Sequence, residues 1–255
     1  MRFRSRLWKR KLARRFEDVT ARVENVLAGS SKGQTYTVMS GPFAGMLYAK
    51  GSWIFNVAPM VTGSYESELH ETIEKIVEQC PTTIIDIGCA EGYYAVGLAM
   101  RLPNAHIYAF DTDPHAQRYC RTMAKLNNVG NRMTIAGTCT HDTLRKYTTE
   151  MSLILCDCEG CEFDLLQPQK APELGRASLL IELHESIVPD VTASITARFE
   201  QSHDIRLISV QPRDPQAYPV LRNLQPADQQ FALSEFRTGV QRWAFLSPKY
   251  LEQWM

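Results

Sequence analysis

Ile84-Ile85-Asp86-Ile87-Gly88-Cys89-Ala90-Glu91-Gly92-Tyr93-Tyr94 is the stretch that decides the fold. An apolar, β-branched run of strand length ends at an acid, passes through a Gly-x-x-x-Gly turn and enters a helix. Gly88 permits the tight turn, and Gly92 lets the helix pack close to the strand while backbone N–H groups point into a cleft. A second acid, Asp111, ends the next apolar run, Tyr108-Ala109-Phe110-Asp111, 25 residues after Asp86. That is near the roughly 20 residues expected for a carboxylate that grips ribose hydroxyls. An ionised carboxylate is acceptor-only with two oxygens, and two vicinal hydroxyls offer two donors, so the fit is bidentate.

Outward from these two acids, strands alternate with helices. Thr83–Ile87, Ala105–Phe110, Met133–Ala136, Ser152–Cys156, Leu179–Leu183 and Ile205–Val210 read as strands, and Gln241–Leu246 as a late seventh. Helical patterns fill 92–101, 114–127, 140–147, a short piece before Pro168, and 189–202. The expectation is an α/β fold: a Rossmann-like, seven-stranded, mostly parallel doubly wound sheet with helices on both faces and an N-terminal helical extension. Upstream, 17–28 read as a short helix and 34–58 as irregular strands and turns. A lead-in helix begins at Ser64, with Ser64-x-x-Ser67-Glu68 offering caps and Leu69, Ile73, Ile76 and Val77 an apolar stripe, and stops at Cys80-Pro81. The chain divides into a basic arm (1–28), an N-terminal subdomain with the lead-in helix (29–80) and a cofactor-binding domain (81–255). That domain includes a proline-bearing capping segment, 211–238.

Apolar residues make up 44% of the 255 and charged residues 22%, which excludes disordered, collagen-like and coiled-coil chains. Seven cysteines, an odd number scattered over a mid-sized chain, point to reduced thiols in a cytoplasmic compartment. No apolar run reaches the roughly 18 residues of a membrane span, and charge interrupts the N-terminal apolar positions that a secretory signal needs. The formal net charge of +0 hides an asymmetry. Arg2, Arg4, Arg6, Lys9, Arg10, Lys11, Arg14 and Arg15 form a basic arm on an acidic body. Phe3, Leu7, Trp8, Leu12 and Phe16 recur at near-helical spacing, so residues 1–16 read either as a frayed, solvated helix or as a weak contact with an anionic membrane.

Dinucleotide binding needs Gly-x-Gly-x-x-Gly with a pyrophosphate on a helix N-terminus. Here the second glycine is missing, and Glu91 would stand beside a diphosphate. An acid ending the first strand suits a ligand that carries an ammonium group and no phosphate, as S-adenosylmethionine does. The chain resembles the class I methyltransferases, and within them the FkbM-type methyltransferases. Three blocks carry the resemblance: Asp86 to Tyr94, then Ala109-Phe110-Asp111-Thr112-Asp113-Pro114, then Cys156-Asp157-Cys158-Glu159-Gly160-Cys161-Glu162-Phe163-Asp164-Leu165-Leu166. Leu180-Ile181-Glu182-Leu183-His184 adds a strand ending in acid-x-His, and the resemblance spans about residues 80–185. Two departures are Ala90 at the loop's usual middle glycine and the crowd of cysteines in the third block. The resemblance implies S-adenosylmethionine as cofactor, with Asp86, Gly88 and Gly92 at its methionine end, Asp111 at the ribose, and Cys89, Ala90, Glu91, Tyr93, Thr112 and Asp157 also among the residues that bind it. Thr138 is the candidate beside adenine, and Tyr65 and Glu66 would close over the methionine moiety, an ordinary cap or turn being the plain alternative.

Ligands of open α/β sheets bind beyond the carboxyl ends of the strands. Asp157 and Glu159 follow the fourth strand, and Glu182, His184 and Glu185 the fifth, so these groups should converge. His184 is the candidate base and Asp157 its orienting or substrate-binding partner, against a reading in which His184 is a buried histidine held by structural acids. If a metal is present, Asp157, Glu159, Glu182 and His184 suit magnesium or manganese better than zinc. Cys156-x-Cys158-x-x-Cys161 lacks a second ligand pair for zinc and reads as buried thiols. The family resemblance implies O-methylation of a sugar or secondary-metabolite hydroxyl, and the acidic body argues against a nucleic-acid groove. Two rivals stand beside this: a non-catalytic S-adenosylmethionine-binding protein that docks through its arm, and an NAD-linked oxidoreductase. The oligomeric state is not legible.

Overall fold

In the computed structural model the described residues are 17–51, 56–237 and 241–249. The basic arm, 1–16, lies outside them, as does residue 238 of the capping segment. The described residues form two compact units, one of Glu68–Gln211 with Arg237 and 241–249, and one of 17–51 and 56–67 with Pro212–Phe236.

The larger unit is built on a seven-stranded sheet. Its strands are β4 (Thr83–Ile87), β5 (His106–Phe110), β6 (Met133–Ala136), β7 (Ser152–Cys156), β8 (Ser178–Leu183), β9 (His203–Ser209) and β10 (Arg242–Pro248), in the order β6-β5-β4-β7-β8-β10-β9. All neighbouring pairs from β6 to β8 are parallel, and β10 is antiparallel to both β8 and β9. Helix α3 (His70–Glu78) leads into β4, and α4 (Tyr93–Arg101), α5 (Pro114–Leu126), α6 (His141–Tyr147), α7 (Glu162–Leu165) and α8 (Val191–Phe199) connect successive strands. The α/β expectation therefore holds.

The two faces of the sheet follow from strand alternation. Ile85, Ile87, Ile154, Cys156, Leu179, Ile181 and Leu183 enter one apolar cluster with Leu144, Ile195 and Phe199. The alternate positions on the same strands, Asp86 on β4 and Glu182 on β8, therefore look to the opposite face, and Asp157 follows Cys156 there. β7 and β8 are buried at every position, as central parallel strands must be, whereas β9 is an edge strand with Leu207 exposed. α5 opens with Asp113 as its N-cap, whose carboxylate accepts the His115 N–H.

In the smaller unit, helix α1 spans residues 17–27, and β1 (Ser31–Lys32), β2 (Thr35–Thr37) and β3 (Leu47–Ala49) form an antiparallel sheet. Helices α2 (Ala58–Thr62) and α9 (Pro226–Ala232) complete it. Arg22 holds Asp228 through two hydrogen bonds, of 2.6 and 2.9 Å, and Asn56 donates to the Phe231 and Ser234 carbonyls at 2.8 and 2.9 Å.

The lead-in helix differs from its sequence expectation. α3 starts at His70 behind a 3-10 turn, and its N-cap, Leu69, supplies no side-chain hydrogen bond. Ser64 closes α2 instead: its N–H bonds the Pro59 carbonyl at 2.8 Å, just after Gly63 in the left-handed conformation, so it is spent on one helix's end and not on the next one's start. The apolar stripe was a better guide than the cap, because Leu69, Ile73 and Ile76 are all buried. Among the described residues no helix is long and apolar enough to cross a membrane.

Candidate cofactor-binding and catalytic site

The glycine loop lies at the carboxyl end of β4, and its conformation explains its residue types. Gly88 has φ +85°, and a Cβ there would come 1.6 Å from the Asp157 carbonyl oxygen, so only glycine lets the β4 and β7 ends approach this closely. Gly92, φ +89°, leads into α4, where a Cβ would stand 2.8 Å from the Cys120 sulfur. Ala90 also sits at positive φ, +44°, the conformation that a glycine takes more readily.

Asp111 is pinned beside this loop. Its Oδ2 accepts the Ala90 N–H at 2.9 Å and its Oδ1 the Asp113 N–H at 2.8 Å. Each oxygen keeps lone pairs for a further donor. A cleft of about 640 Å³ opens here, lined by Gly88, Ala90, Asp111, Thr112, Thr138 and Asp157 among others, which is a size suited to a nucleoside-bearing ligand. The structure thus brings six of the residues expected at the cofactor into one cavity wall. It does not bring Cys89, Glu91 or Tyr93 there. All three are buried, and Tyr93 packs edge-on to Tyr94 at 5.5 Å.

Asp86 is 1% exposed, and neither of its oxygens meets a partner at hydrogen-bonding geometry. Burial, then the Asp157 and Asp111 carboxylates, push it up to about 8; the Ala95 amide is near enough to draw it down only a little. A buried carboxyl without a partner is costly unless a ligand supplies one, and an ammonium group fits that need. Tyr65 and Glu66 lie in the smaller unit, where the Glu66 N–H donates to Glu235 at 2.8 Å and Glu66 adopts φ +45°.

Beyond the cleft, carboxylates surround one imidazole. His184, 4% exposed, directs Nδ1 to Glu162 Oε1 at 3.1 Å, and the same oxygen accepts the His184 backbone N–H at 3.1 Å. Its Nε2 stands 3.5 Å from Asp157, 3.5 Å from Glu182 and 3.6 Å from Glu159. Glu162 is fully buried; burial works to raise it, but the hydrogen bonds from His184 and the backbone win and hold it below the usual carboxylate range. For His184 burial pulls down, while Glu162, Asp157 and Glu159 together carry it above an ordinary imidazole. Burial and the Asp157 carboxylate push Glu182 up to about 10, and burial also raises Asp157. Arg237 donates to the other oxygen of Glu182. The expected convergence of Asp157, Glu159, Glu182 and His184 is present, whereas Glu185 turns away to Thr192.

A profile of the ribosomal protein L11 methyltransferase (PrmA) family matches residues 69–158, the stretch from α3 to the turn after β7. Joined to the sheet order and the loop geometry, that match decides the fold. It is the class I S-adenosylmethionine-dependent methyltransferase fold. Solved structures similar to this chain include an O-methyltransferase from Bacillus cereus in complex with SAH (11% identity, 74% of this chain and 89% of that chain, TM-score 0.48). Others are the cofactor-bound Rv0187 from MTB (16% identity, 69% and 78%, TM-score 0.46) and a precorrin-6y C5,15-methyltransferase from Geobacter metallireducens (11% identity, 70% and 88%, TM-score 0.46). No curated protein matches the sequence.

Two features of this methyltransferase fold escaped sequence reasoning. Glu162, quoted only as part of a motif, is the residue that orients His184; its position two residues beyond Gly160, whose N–H it also binds at 2.9 Å, was the available signal. The cysteines of the third block are the other. The expectation of buried thiols fails for Cys158 and Cys161, which form a disulfide with a Cα–Cα distance of 5.4 Å. β7 ends at Cys156, so strand alternation does not reach Cys158. The turn through Glu159 (φ +53°) and Gly160 (φ +99°) folds Cys161 back onto it. Cys80, Cys89, Cys120, Cys139 and Cys156 are free thiols.

Proposed function

We propose that this chain is an FkbM-type methyltransferase of the cytoplasm that transfers a methyl group to a hydroxyl of a sugar or secondary-metabolite small molecule. The observation that carries the reading is His184, buried among carboxylates and oriented by Glu162, at the carboxyl ends of strands that also frame the cofactor cleft. S-adenosylmethionine, when bound, supplies a methyl carbon already activated by its sulfonium. The chain's own residues do the rest. Asp111 receives the ribose hydroxyls, and Asp86 receives the ammonium. An acceptor hydroxyl would lose its proton to His184 Nε2 beside Asp157, with Glu162 fixing the ring through Nδ1. The same carboxylates would repel a phosphate backbone, which favours an uncharged acceptor over nucleic acid.

Replacing Asp111 with alanine removes two charge-assisted acceptors and the support of the Ala90 and Asp113 amides. Affinity for S-adenosylhomocysteine should fall about a hundredfold, on the order of 3 kcal/mol. Calorimetry finding unchanged affinity would remove Asp111 from the site, and tighter binding of NAD than of S-adenosylhomocysteine would install the oxidoreductase reading instead.

Asp86 gives a pH signature. Being raised to about 8, it is mostly protonated in the free protein at pH 7, and an ammonium beside it favours the ionised form. Binding should therefore release close to one proton near pH 7, with affinity climbing as pH rises towards 8. Calorimetry in buffers of different ionisation enthalpy reads this directly; no proton release, or release that persists in Asp86→Asn, would refute the assignment.

One observation favours a second reading of the reacting end. Asp157, Glu182 and His184 each offer a ligand atom, all within 4.8 Å of one another. Separations of 3.5 Å are long for hydrogen bonds and suit oxygen and imidazole ligands of one magnesium or manganese ion. Turnover that stops on chelation and returns with either metal would make these residues ligands and move the base elsewhere. The arm, residues 1–16, is proposed to give weak contact with anionic membranes, and sedimentation with anionic vesicles that fades as salt rises tests it.

A further inference from the structure

The Cys158–Cys161 disulfide stands apart from the chain's other sulfur. Five cysteines are free thiols, and four of these, Cys89, Cys120, Cys139 and Cys156, are buried. A chain built around buried free thiols is made for a reducing milieu, where a lone disulfide is catalytic or redox-sensing more often than structural. Its position supports that. Cys158 and Cys161 both line the cofactor cleft, in the turn that follows Asp157. Cys161 is exposed, so a partner's thiolate can reach it.

We propose that Cys158 and Cys161 form a reducible redox site in the wall of the cofactor cleft, served by a dithiol of the thioredoxin class, and that its oxidised state is the one that binds cofactor tightly. In the reducing step a partner thiolate attacks Cys161 Sγ. The bond between the two protein sulfurs breaks, and Cys158 leaves as a thiolate that takes up a proton. The partner's second thiol then attacks the mixed disulfide and frees Cys161. The protein gains two electrons and two protons, and the dithiol becomes a disulfide.

The surroundings keep this exchange on the outside. Cys156 Sγ lies 3.5 Å from Cys158 Sγ, close enough to compete as an internal nucleophile. Cys156 is fully buried in the apolar cluster behind β7, out of an incoming thiolate's reach, whereas Cys161 is exposed to it. The bond spans only three positions, so its loss costs the global fold little. What it fixes is local. It ties the turn's two arms together next to Asp157, and reduction lets the Cys158 and Cys161 side chains part along the cleft wall. The binding half of the proposal rests on the cofactor reading given above; the redox half does not.

The test uses the full chain in dithiothreitol redox buffers, with maleimide labelling read by mass and S-adenosylhomocysteine affinity read by calorimetry. Exposed Cys80 labels in every state, so the folded protein should pass from one label to three on reduction, reversibly, and the Cys158→Ser/Cys161→Ser double variant should stay at one. Affinity should fall three- to tenfold on reduction, and the double variant should show the weaker value with no response to reductant. Folded protein that shows three labels in every buffer overturns the redox site. A disulfide that titrates with unchanged affinity overturns its control of binding. Failure to bind S-adenosylhomocysteine in either state, with the labelling titration intact, would instead overturn the cofactor reading.

Discussion

The His184→Ala variant should lose roughly 10²–10⁴ of turnover on a hydroxyl acceptor, the usual worth of a general base, while its affinity for S-adenosylhomocysteine stays within about threefold. The split follows from position. Nε2 faces Asp157, Glu159 and Glu182, on the side of the carboxylate cluster, and His184 is not part of the wall that holds Asp111 and Thr138. The substitution also strips Glu162, fully buried, of its side-chain donor, so some loss of melting temperature accompanies it. His184→Gln separates the two effects, because an amide can still donate towards Glu162 but does not accept a proton as a base. A glutamine variant with wild-type turnover would take the imidazole out of the mechanism. Equal loss of turnover and of folded protein in both variants would make His184 structural.

The second large effect belongs to the glycine loop. Gly88→Ala asks a Cβ to occupy a point 1.6 Å from the Asp157 carbonyl oxygen, at a φ of +85°. The left-handed conformation alone costs about 1–2 kcal/mol, and moving backbone aside to relieve the clash adds about 1–3 more. The sum, roughly 2–5 kcal/mol, should lower the melting temperature by about 5–20 °C in a domain of this size. The shift has a functional signature as well, because the backbone that must retreat is that of Asp157. Melting within about 2 °C of wild type would mean that the two strand ends are not as close as drawn.

The sheet was legible because its strands satisfy two independent signals. β4, β7 and β8 are apolar at nearly every position, and each is followed by a helical pattern after a short loop, which only a parallel sheet covered on both faces accommodates. That Asp111 and Thr138 come to one cleft wall was legible for the same reason, since a residue just past a parallel strand has little choice of direction. Legibility faded where one residue type serves two purposes. Ser64 had the chemistry of an N-cap and was used to close the preceding helix. Cys158 had the chemistry of a buried thiol and opens a turn that brings Cys161 back onto it. Glu91, an exposed loop residue on any polarity scale, is 1% exposed. Glu162 could be found only by knowing that the start of α7 meets His184 just past β8, which no local pattern encodes. The small sheet β1–β3 is two- and three-residue strands with mixed burial, too short to leave a periodic trace.

The antiparallel strand β10 has a consequence for the order in which the molecule is made. Among the described residues β9 pairs only with β10, and β10 is drawn from the last stretch of described chain. While the ribosome is still producing residues 210–240, β8 is therefore a bare edge, and β9 has been synthesised with nowhere to go. Glu182 waits too, since its register partner across that edge is Trp243. The glycine loop and Asp111 are complete by mid-synthesis, but β8, which carries Glu182, gains its second neighbour only when β10 slides between β8 and β9. A nascent chain stalled near residue 235 should accordingly capture S-adenosylhomocysteine weakly and expose a sticky strand to chaperones, and release of the remaining residues should end both conditions at once.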